Sequence, residues 1–304
     1  MDRKRLEELQ KKLETMDKQM PMEKFIKFVE EEQEKNWKED HPEGAASMKY
    51  VVVENGFTKV ELREDRYLLI SENGEDLFLI EKNRLKKYIG DSEDVVIPEG
   101  VTGFRSSAFL DACTKVRSIT IPKSMTTVGM GACALLDDLE SVTLHENVSR
   151  IGAKAFLSCT RLKTINIPKH TEISTVETFL NCPALADKDG FIVVNGILFG
   201  YMGSETSVTV PEGVTAIAAK AFISPKCRVR SVTLPNSVTH IHTNAFAGCS
   251  KLETVTVPDS IAFIGELAFH GLPKLCRIEV PISAIIEEGA FDAAVEVIRR
   301  ARDD

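Results

Sequence analysis

The sequence has no long apolar run and no excess of positive charge. None of its stretches approaches the roughly 18 consecutive apolar residues of a membrane-spanning helix, and residues 1–20 are charged throughout, unlike the apolar centre of a secretory signal. The formal net charge is −8 at pH 7, so phosphate backbones and anionic lipids are not attracted at long range. These features argue against membrane insertion and against nucleic acid as a partner.

The same features set an expectation for size and location. With 304 residues and 43% hydrophobic content, the chain can bury a large core and has room for one extended domain plus an appendage. As it stands, the sequence predicts a cytoplasmic protein. An export signal removed from ahead of Met1 would instead make the protein secreted or place it on the cell surface.

Paired cysteines are also missing. The seven cysteines are an odd number and include no Cys-x-x-Cys motif, which argues against a disulfide framework and against a structural zinc site. Four of them follow the same sequence landmark and should form one buried column: Cys113, Cys159, Cys182 and Cys249. We therefore expect all seven cysteines to be reduced.

Catalytic motifs are missing as well. No Gly-x-Ser-x-Gly elbow is present, and the His240/His242 pair, which could offer two metal ligands, has no third ligand nearby in the sequence. The glycines around Met130 resemble a phosphate loop only in isolation, because Gly152 and Gly265 recur at the same phase of a repeat. The sequence predicts no enzyme, no metal site and no cofactor.

What the sequence has in abundance is internal repetition. A short strand that ends in an aliphatic residue and proline recurs about every 23 residues. The strand-ending prolines are Pro98, Pro122, Pro168, Pro211, Pro235, Pro258 and Pro281. A second landmark keeps the same phase: Ala108-Phe109, Ala132-Cys133, Ala155-Phe156, Thr178-Phe179, Ala221-Phe222, Ala245-Phe246, Ala268-Phe269 and Ala290-Phe291. Stacked copies would bury one another's apolar faces, as the coils of a solenoid do.

These residues resemble the BspA-like class of leucine-rich repeats. Residues 252–275, LETVTVPDSIAFIGELAFHGLPKL, match almost throughout the pattern Leu-x-x-Ile-x-Ile-Pro, Val-x-x-Ile-Gly, Ala-Phe and Leu. The resemblance covers residues 95–292 and implies a mainly β repeat solenoid with a parallel sheet along one face. It also implies a binding function without naming a target, because such proteins are known mainly as extracellular or surface-attached bacterial binding proteins, several of them adhesins.

Four regions are predicted along the chain. They are a helical N-terminal segment at 1–47, a small β-meander or cap at 48–94, about eight repeats at 95–292 with a hairpin insert at 186–206, and a C-terminal capping helix at 293–304. The first and last coils of a solenoid expose apolar faces that must be covered. The meander and the terminal helix are therefore expected to act as caps, and a separate binding domain is the alternative for the meander.

The predicted binding face consists of the outward positions of the repeated strands. Side chains alternate along a strand, so Val232 points inward while Ser231 and Thr233 point outward. The candidate binding residues are Ser118, Thr120, Ser141, Thr143, Thr164, Asn166, Ser231, Thr233, Thr254 and Thr256. Because threonine favours strands and neighbouring hydroxyls can bond to each other, these columns have a structural interpretation as well as a functional one.

The sequence predicts a non-catalytic binding module that contacts another protein through the solenoid face. One alternative is a secreted or surface-attached bacterial adhesin that binds a host or cell-surface protein or glycan. The other alternative is a hydrolase with a dispersed catalytic triad.

Overall fold

The computed structural model describes residues 51–301 apart from 54–56, 64–65, 72–75, 91, 106–107, 110–114 and 224–227. The helices predicted at 1–47 lie outside the described residues. The described chain makes about nine turns of a mainly β solenoid, and one 3-10 turn, Pro183–Leu185, is the only helical element in these ranges. The predicted fold class, a β solenoid of leucine-rich repeats, is confirmed.

The described chain starts with five antiparallel strands, in the region where a meander is predicted. They are β1 (Val51–Val53), β2 (Phe57–Arg63), β3 (Arg66–Ser71), β4 (Asp76–Glu81) and β5 (Arg84–Gly90). Lys82 and Asn83 connect β4 to β5 with φ angles of 53° and 56°. Such left-handed two-residue turns match the twist of a β-hairpin, and this hairpin leads directly into the solenoid.

The first half of the solenoid contains eight short strands. They are β6 (Asp94–Val96), β7 (Gly103–Phe104), β8 (Ser118–Thr120), β9 (Thr127–Val128), β10 (Ser141–Thr143), β11 (Arg150–Ile151), β12 (Thr164–Asn166) and β13 (Glu172–Ile173). The even-numbered strands pair in parallel as one sheet, the front sheet. The odd-numbered strands form the opposite face, the back sheet, in which β9, β11 and β13 pair in parallel and β7 pairs in parallel with β5.

The second half repeats this arrangement. Its strands are β14 (Phe191–Val194), β15 (Ile197–Tyr201), β16 (Ser207–Thr209), β17 (Ala216–Ile217), β18 (Ser231–Thr233), β19 (His240–Ile241), β20 (Thr254–Thr256), β21 (Phe263–Ile264), β22 (Arg277–Pro281), β23 (Ile285–Ile286) and β24 (Glu296–Arg300). β14 and β15 form an antiparallel hairpin within the predicted insert, and β15 continues into the parallel back sheet through β17, β19, β21 and β23. The front sheet continues through β16, β18 and β20.

The prediction of a capping helix at 293–304 is wrong for the residues that the structure describes. Glu296–Arg300 form β24, which pairs in parallel with β22 and places Val297 opposite Ile278. The alanines and charges of this segment favour a helix locally, but β-branched residues fit a pleated surface, and the edge of β22 offers backbone partners. Arg300 then holds the strand in place by donating to the Asp259 carboxylate at 2.6 Å.

Aromatic rings form the interior of each half. Phe222, Phe246 and Phe269 stack with ring centroids 4.8 Å apart, and Phe291 continues the stack at 5.1 Å. One residue just before each Ala-Phe landmark has a left-handed backbone: Gly131, Lys154, Glu177, Lys220, Asn244, Leu267 and Gly289, with φ between 55° and 74°. Each coil therefore turns into its buried aromatic residue through a conformation that non-glycine residues adopt at a cost.

The two halves are copies of each other, offset by 113 residues. Tyr88 corresponds to Tyr201 and Phe109 to Phe222, and the equivalence extends to hydrogen bonds, since the amides of Tyr88 and Tyr201 each donate at 2.8 Å to the carbonyl of the corresponding alanine. The β4–β5 hairpin corresponds to β14–β15. Buried residues also divide into two clusters, one for each half. The last hairpin of the meander is therefore the first element of the solenoid, and the insert starts the second copy.

Buried thiols close the inner corners of several coils. The Sγ of Cys159 donates to the carbonyl of Cys133 at 2.9 Å, and that of Cys182 donates to the carbonyl of Phe156 at 3.0 Å. Burial raises the pKa of both thiols to about 12. The described cysteines are free thiols, four of them buried and Cys276 exposed, while Cys113 and Cys227 lie outside the described residues.

Candidate functional site

The structure places the candidate residues of the first half in two rows across the front sheet. Strand register aligns Ser118, Ser141 and Thr164 in one row and Thr120, Thr143 and Asn166 in the other. The residues between the rows point inward, and Ile119 and Val142 are buried. Thr143, Thr164 and Asn166 are exposed, while the other three are half-buried. The predicted alternation therefore holds strand by strand.

The second half has equivalent rows. Ser231 and Thr254 align with Ser207, and Thr233 and Thr256 align with Thr209. All of these side chains are exposed except Ser231, which is half-buried. The candidate residues thus belong to two similar polar patches, one on each half of the solenoid.

The two patches do not form one continuous surface. β12 ends one parallel sheet and β16 begins another, and the two strands are not paired. The 3-10 turn and the β14–β15 hairpin occupy the chain between them. A cleft of about 640 Å³ lies along β16, lined by residues 183, 186–191, 201–205 and 207–209. A partner that covers both patches must therefore also cross this cleft.

Hydrogen bonds distinguish structural from available candidates. The side chain of Asn166 accepts from the amide of Leu144 at 2.7 Å and donates to its carbonyl at 3.0 Å, so it pairs with the backbone where β12 forms the sheet edge. Ser118 donates to the Asp94 carboxylate at 2.5 Å, and Ser231 donates to Ser207 at 2.8 Å. These contacts support the structural interpretation for part of the rows and leave the exposed threonines as the better candidates.

Charged residues beside the front strands are paired from coil to coil. Glu140 lies 2.7 Å from the Lys163 ammonium group, and Arg230 lies 2.9 Å from Glu253. The hydrogen bond from Lys163 lowers the pKa of Glu140 below its ordinary value, and the charge of the same lysine acts in the same direction. Because neighbouring charges neutralise each other, the front sheet offers hydroxyl groups between balanced ion pairs rather than a field of one sign.

The two histidines considered as metal ligands lie side by side on the back sheet. The rings of His240 and His242 are 6.2 Å apart and 21° from parallel. Burial lowers the pKa of His242, and the neighbouring His240 adds to that effect. Among the described residues, no group of three or more histidine, cysteine, aspartate or glutamate side chains could hold a metal ion.

Comparison with known proteins identifies the repeat. The family model for the BspA type leucine rich repeat region (6 copies) matches residues 80–190 and 188–297. These two ranges together cover well over half of the chain, and each begins near the hairpin that starts one half of the solenoid. Among curated proteins, none matches this chain.

Several solved bacterial structures share the fold at low sequence identity. A leucine-rich repeat protein from Bacteroides ovatus is 19% identical with a TM-score of 0.42, and the match covers 78% of this chain and 66% of that protein's length. A leucine rich cell surface protein from Faecalibacterium prausnitzii is 18% identical with a TM-score of 0.32 and coverages of 86% and 97%. The pneumococcal vaccine antigen PcpA is 15% identical with a TM-score of 0.35 and coverages of 85% and 89%.

No helix in the described part of the chain is long and apolar enough to cross a lipid bilayer. The in-phase repeats, the β solenoid and the family match agree with one another. This chain belongs to the BspA-type leucine-rich repeat family, whose members are typically involved in binding or adhesion and are often found at the bacterial cell surface.

Proposed function

We propose that this protein is a non-catalytic binding protein that holds a partner protein against the front sheet of its solenoid. The observation that carries the proposal is the pair of exposed polar rows on a sheet whose inward residues are buried. The outward positions contribute little to the core, so their side chains can vary to suit a ligand. Repeat solenoids commonly bind along such an extended face.

A protein fits this surface better than a small molecule does. Each patch is broad and open, and the cleft along β16 is the one recess beside it among the described pockets. Specific protein interfaces bury about 800 Å² on each partner, which matches a flat sheet more closely than a narrow recess. The balanced ion pairs around the rows would add specificity rather than net attraction.

The test places a large charged side chain in each patch. Thr143→Arg and Thr233→Arg should remove the same bound protein from the immobilised full chain, because both threonines are exposed in equivalent rows. Thr126→Arg is the matched control, since Thr126 is also exposed but precedes the back strand β9.

Bound proteins should be quantified by mass spectrometry, and the folding of each variant checked by circular dichroism. A partner retained equally by all three variants would show that binding does not use the front sheet.

A glycan-binding adhesin is the second candidate. The hydroxyl groups of the exposed threonines and the absence of a one-sign charge field suit a neutral sugar, whose own hydroxyls would exchange hydrogen bonds with them. Binding of defined oligosaccharides that Thr143→Arg abolishes and Thr126→Arg leaves intact would favour this candidate. A cell-surface location accompanies the adhesin, while a cytoplasmic location accompanies the protein scaffold.

A further inference from the structure

The back sheet of the second half carries an outward row of apolar and aromatic side chains. Strand register aligns one residue from each of six neighbouring strands. The row, here called the back stripe, consists of Val194, Ile197, Ala216, His240, Phe263 and Ile285. It lies on the face opposite the front sheet and crosses the strands, as a rung crosses a ladder.

The fold does not require apolar residues at these positions. The first half places Glu81, Arg84, Gly103, Thr127, Arg150 and Glu172 at the equivalent positions of the same sheet. Inward neighbours are alike in the two halves, with Ile151 buried in the first and Ile264 in the second. The core is therefore satisfied with either kind of outward row, so the apolar row needs an explanation other than folding.

The back stripe remains open to solvent in the folded chain. Ile285 is 67% exposed and the neighbouring Ile282 is 63% exposed. His240 is exposed, and its ring lies 6.0 Å from that of Phe263 and so extends the apolar surface. Contiguous exposed apolar surface is unfavourable in water and marks sites of interaction.

The spacing of the stripe matches a helix better than a strand. Neighbouring strands are about 4.8 Å apart, so six positions extend over about 24 Å. Side chains on one face of a helix recur about every 5.4 Å, whereas those on one face of a strand recur about every 6.6 Å. A helix of about 16 residues would cover the row and place one turn near each strand.

One border of the stripe is acidic. Glu266, Glu287 and Glu288 follow the stripe positions of β21 and β23 and are exposed, and the amide of Glu266 donates to the Glu287 carboxylate at 2.7 Å. On the opposite border, the cation near Ile285 is Arg299, which donates to the carbonyls of Ile282 and Ala284. A partner helix would therefore gain from basic side chains along the edge that faces the three glutamates.

We propose that the back stripe binds an amphipathic helix of a partner protein, with the apolar face of the helix along the stripe and basic side chains against Glu266, Glu287 and Glu288. This site is independent of the front sheet. It gives the second half of the solenoid a docking surface that the first half lacks.

The test replaces stripe residues by their first-half counterparts in the full chain. The triple variant His240→Thr, Phe263→Arg and Ile285→Glu copies Thr127, Arg150 and Glu172, so each new side chain is one that this backbone already accommodates. One added positive charge and one added negative charge keep the net charge unchanged. The probes are two synthetic 18-residue amphipathic helical peptides, one of leucine and lysine and one of leucine and glutamate, and their affinities are measured by fluorescence anisotropy.

Wild-type protein should bind the leucine–lysine peptide with one site per chain, and the triple variant should bind it at least about tenfold more weakly. The leucine–glutamate peptide should bind wild-type protein at least about tenfold more weakly than the leucine–lysine peptide. Thr143→Arg, on the front sheet, should leave peptide binding unchanged.

The reverse exchange keeps the proposal testable even where the triple variant does not fold. Thr127→His, Arg150→Phe and Glu172→Ile together should create a second stripe and raise the peptide stoichiometry from one to two. Equal binding by wild type and triple variant, equal affinity for the two peptides, or a stoichiometry unchanged by the reverse exchange would each overturn the proposal. So would a wild-type dimer in sedimentation velocity that the triple variant converts to monomer, because the stripe would then bind a second copy of this chain.

Discussion

Removing the ring of Phe246 should cost more stability than any single change at the surface. Phe246 is fully buried, and its ring lies between those of Phe222 and Phe269 at 4.8 Å on each side, with interplanar angles of 13° and 12°. Phe246→Ala therefore removes two stacking contacts and leaves a cavity that its neighbours cannot fill without shifting their own coils.

The magnitude follows from these contacts. Replacing a buried phenylalanine by alanine typically costs about 3–5 kcal/mol, and an aromatic pair contributes about 0.5–1.5 kcal/mol beyond burial. With two such pairs lost, Phe246→Ala should lie near the top of the range, at about 4–5 kcal/mol. Phe57→Ala should cost clearly less, because Phe57 is half-buried and makes one printed ring contact, edge-on with Phe78 at 5.7 Å.

Urea unfolding followed by circular dichroism measures the total loss, and hydrogen exchange shows where it falls. Because the buried residues form two clusters, Phe246→Ala should increase exchange mainly in residues 207–300. Phe156→Ala, in the first half, should increase it mainly in residues 76–182. Equal losses for Phe57→Ala and Phe246→Ala, or exchange raised uniformly in both halves, would refute the view of two stacked and partly independent cores.

Three further predictions concern the backbone, charge and thiols. Leu267→Gly should stabilise the protein by about 0.5–1 kcal/mol in urea unfolding, because Leu267 has a φ of 56° and the left-handed strain that glycine relieves exceeds the chain entropy that glycine adds. Lys220 lies 2.5 Å from Glu177 and lowers its pKa below the ordinary 4.5, so this carboxylate stabilises the fold above pH 4.5 and loses that effect as pH falls through its lowered pKa; Glu177→Gln should cost about 0.5–1 kcal/mol at pH 7 and progressively less below pH 4.5. Alkylation of the unfolded, unreduced chain should modify all seven cysteines by mass spectrometry, whereas in the native protein at pH 8 Cys276 should react first and Cys159 should not react, since burial raises its pKa to about 12.

Much of the fold could be predicted because the repeats state their own phase. The alternation around Val232 identifies inward and outward residues of each front strand, and the Ala-Phe landmark locates the buried stack. The duplication was also readable, since Tyr88 and Tyr201 occupy the same place in two similar segments. Looking only for the shorter period hides this longer one.

Other features leave no clear trace in the sequence. The left-handed position of each coil is occupied by residues as different as Lys154, Glu177 and Leu267, so no glycine pattern reveals it. A back strand contains two residues in most coils, too few for alternation to show which one faces solvent. The back stripe therefore becomes visible only when strand register aligns His240 with Phe263. At the C-terminus, local helix preference pointed the wrong way because the edge of β22 decides the conformation.

The hairpins that begin the two halves give this solenoid a natural unit of growth. An antiparallel hairpin ends one back sheet and opens the next, so each half carries its own starting element and needs only a neighbouring coil to stack on. Inserting or deleting a whole unit of 113 residues at this seam would preserve every coil-to-coil contact inside the units. Selection could then lengthen the protein, or give one unit a new surface, while the other unit keeps its original residues.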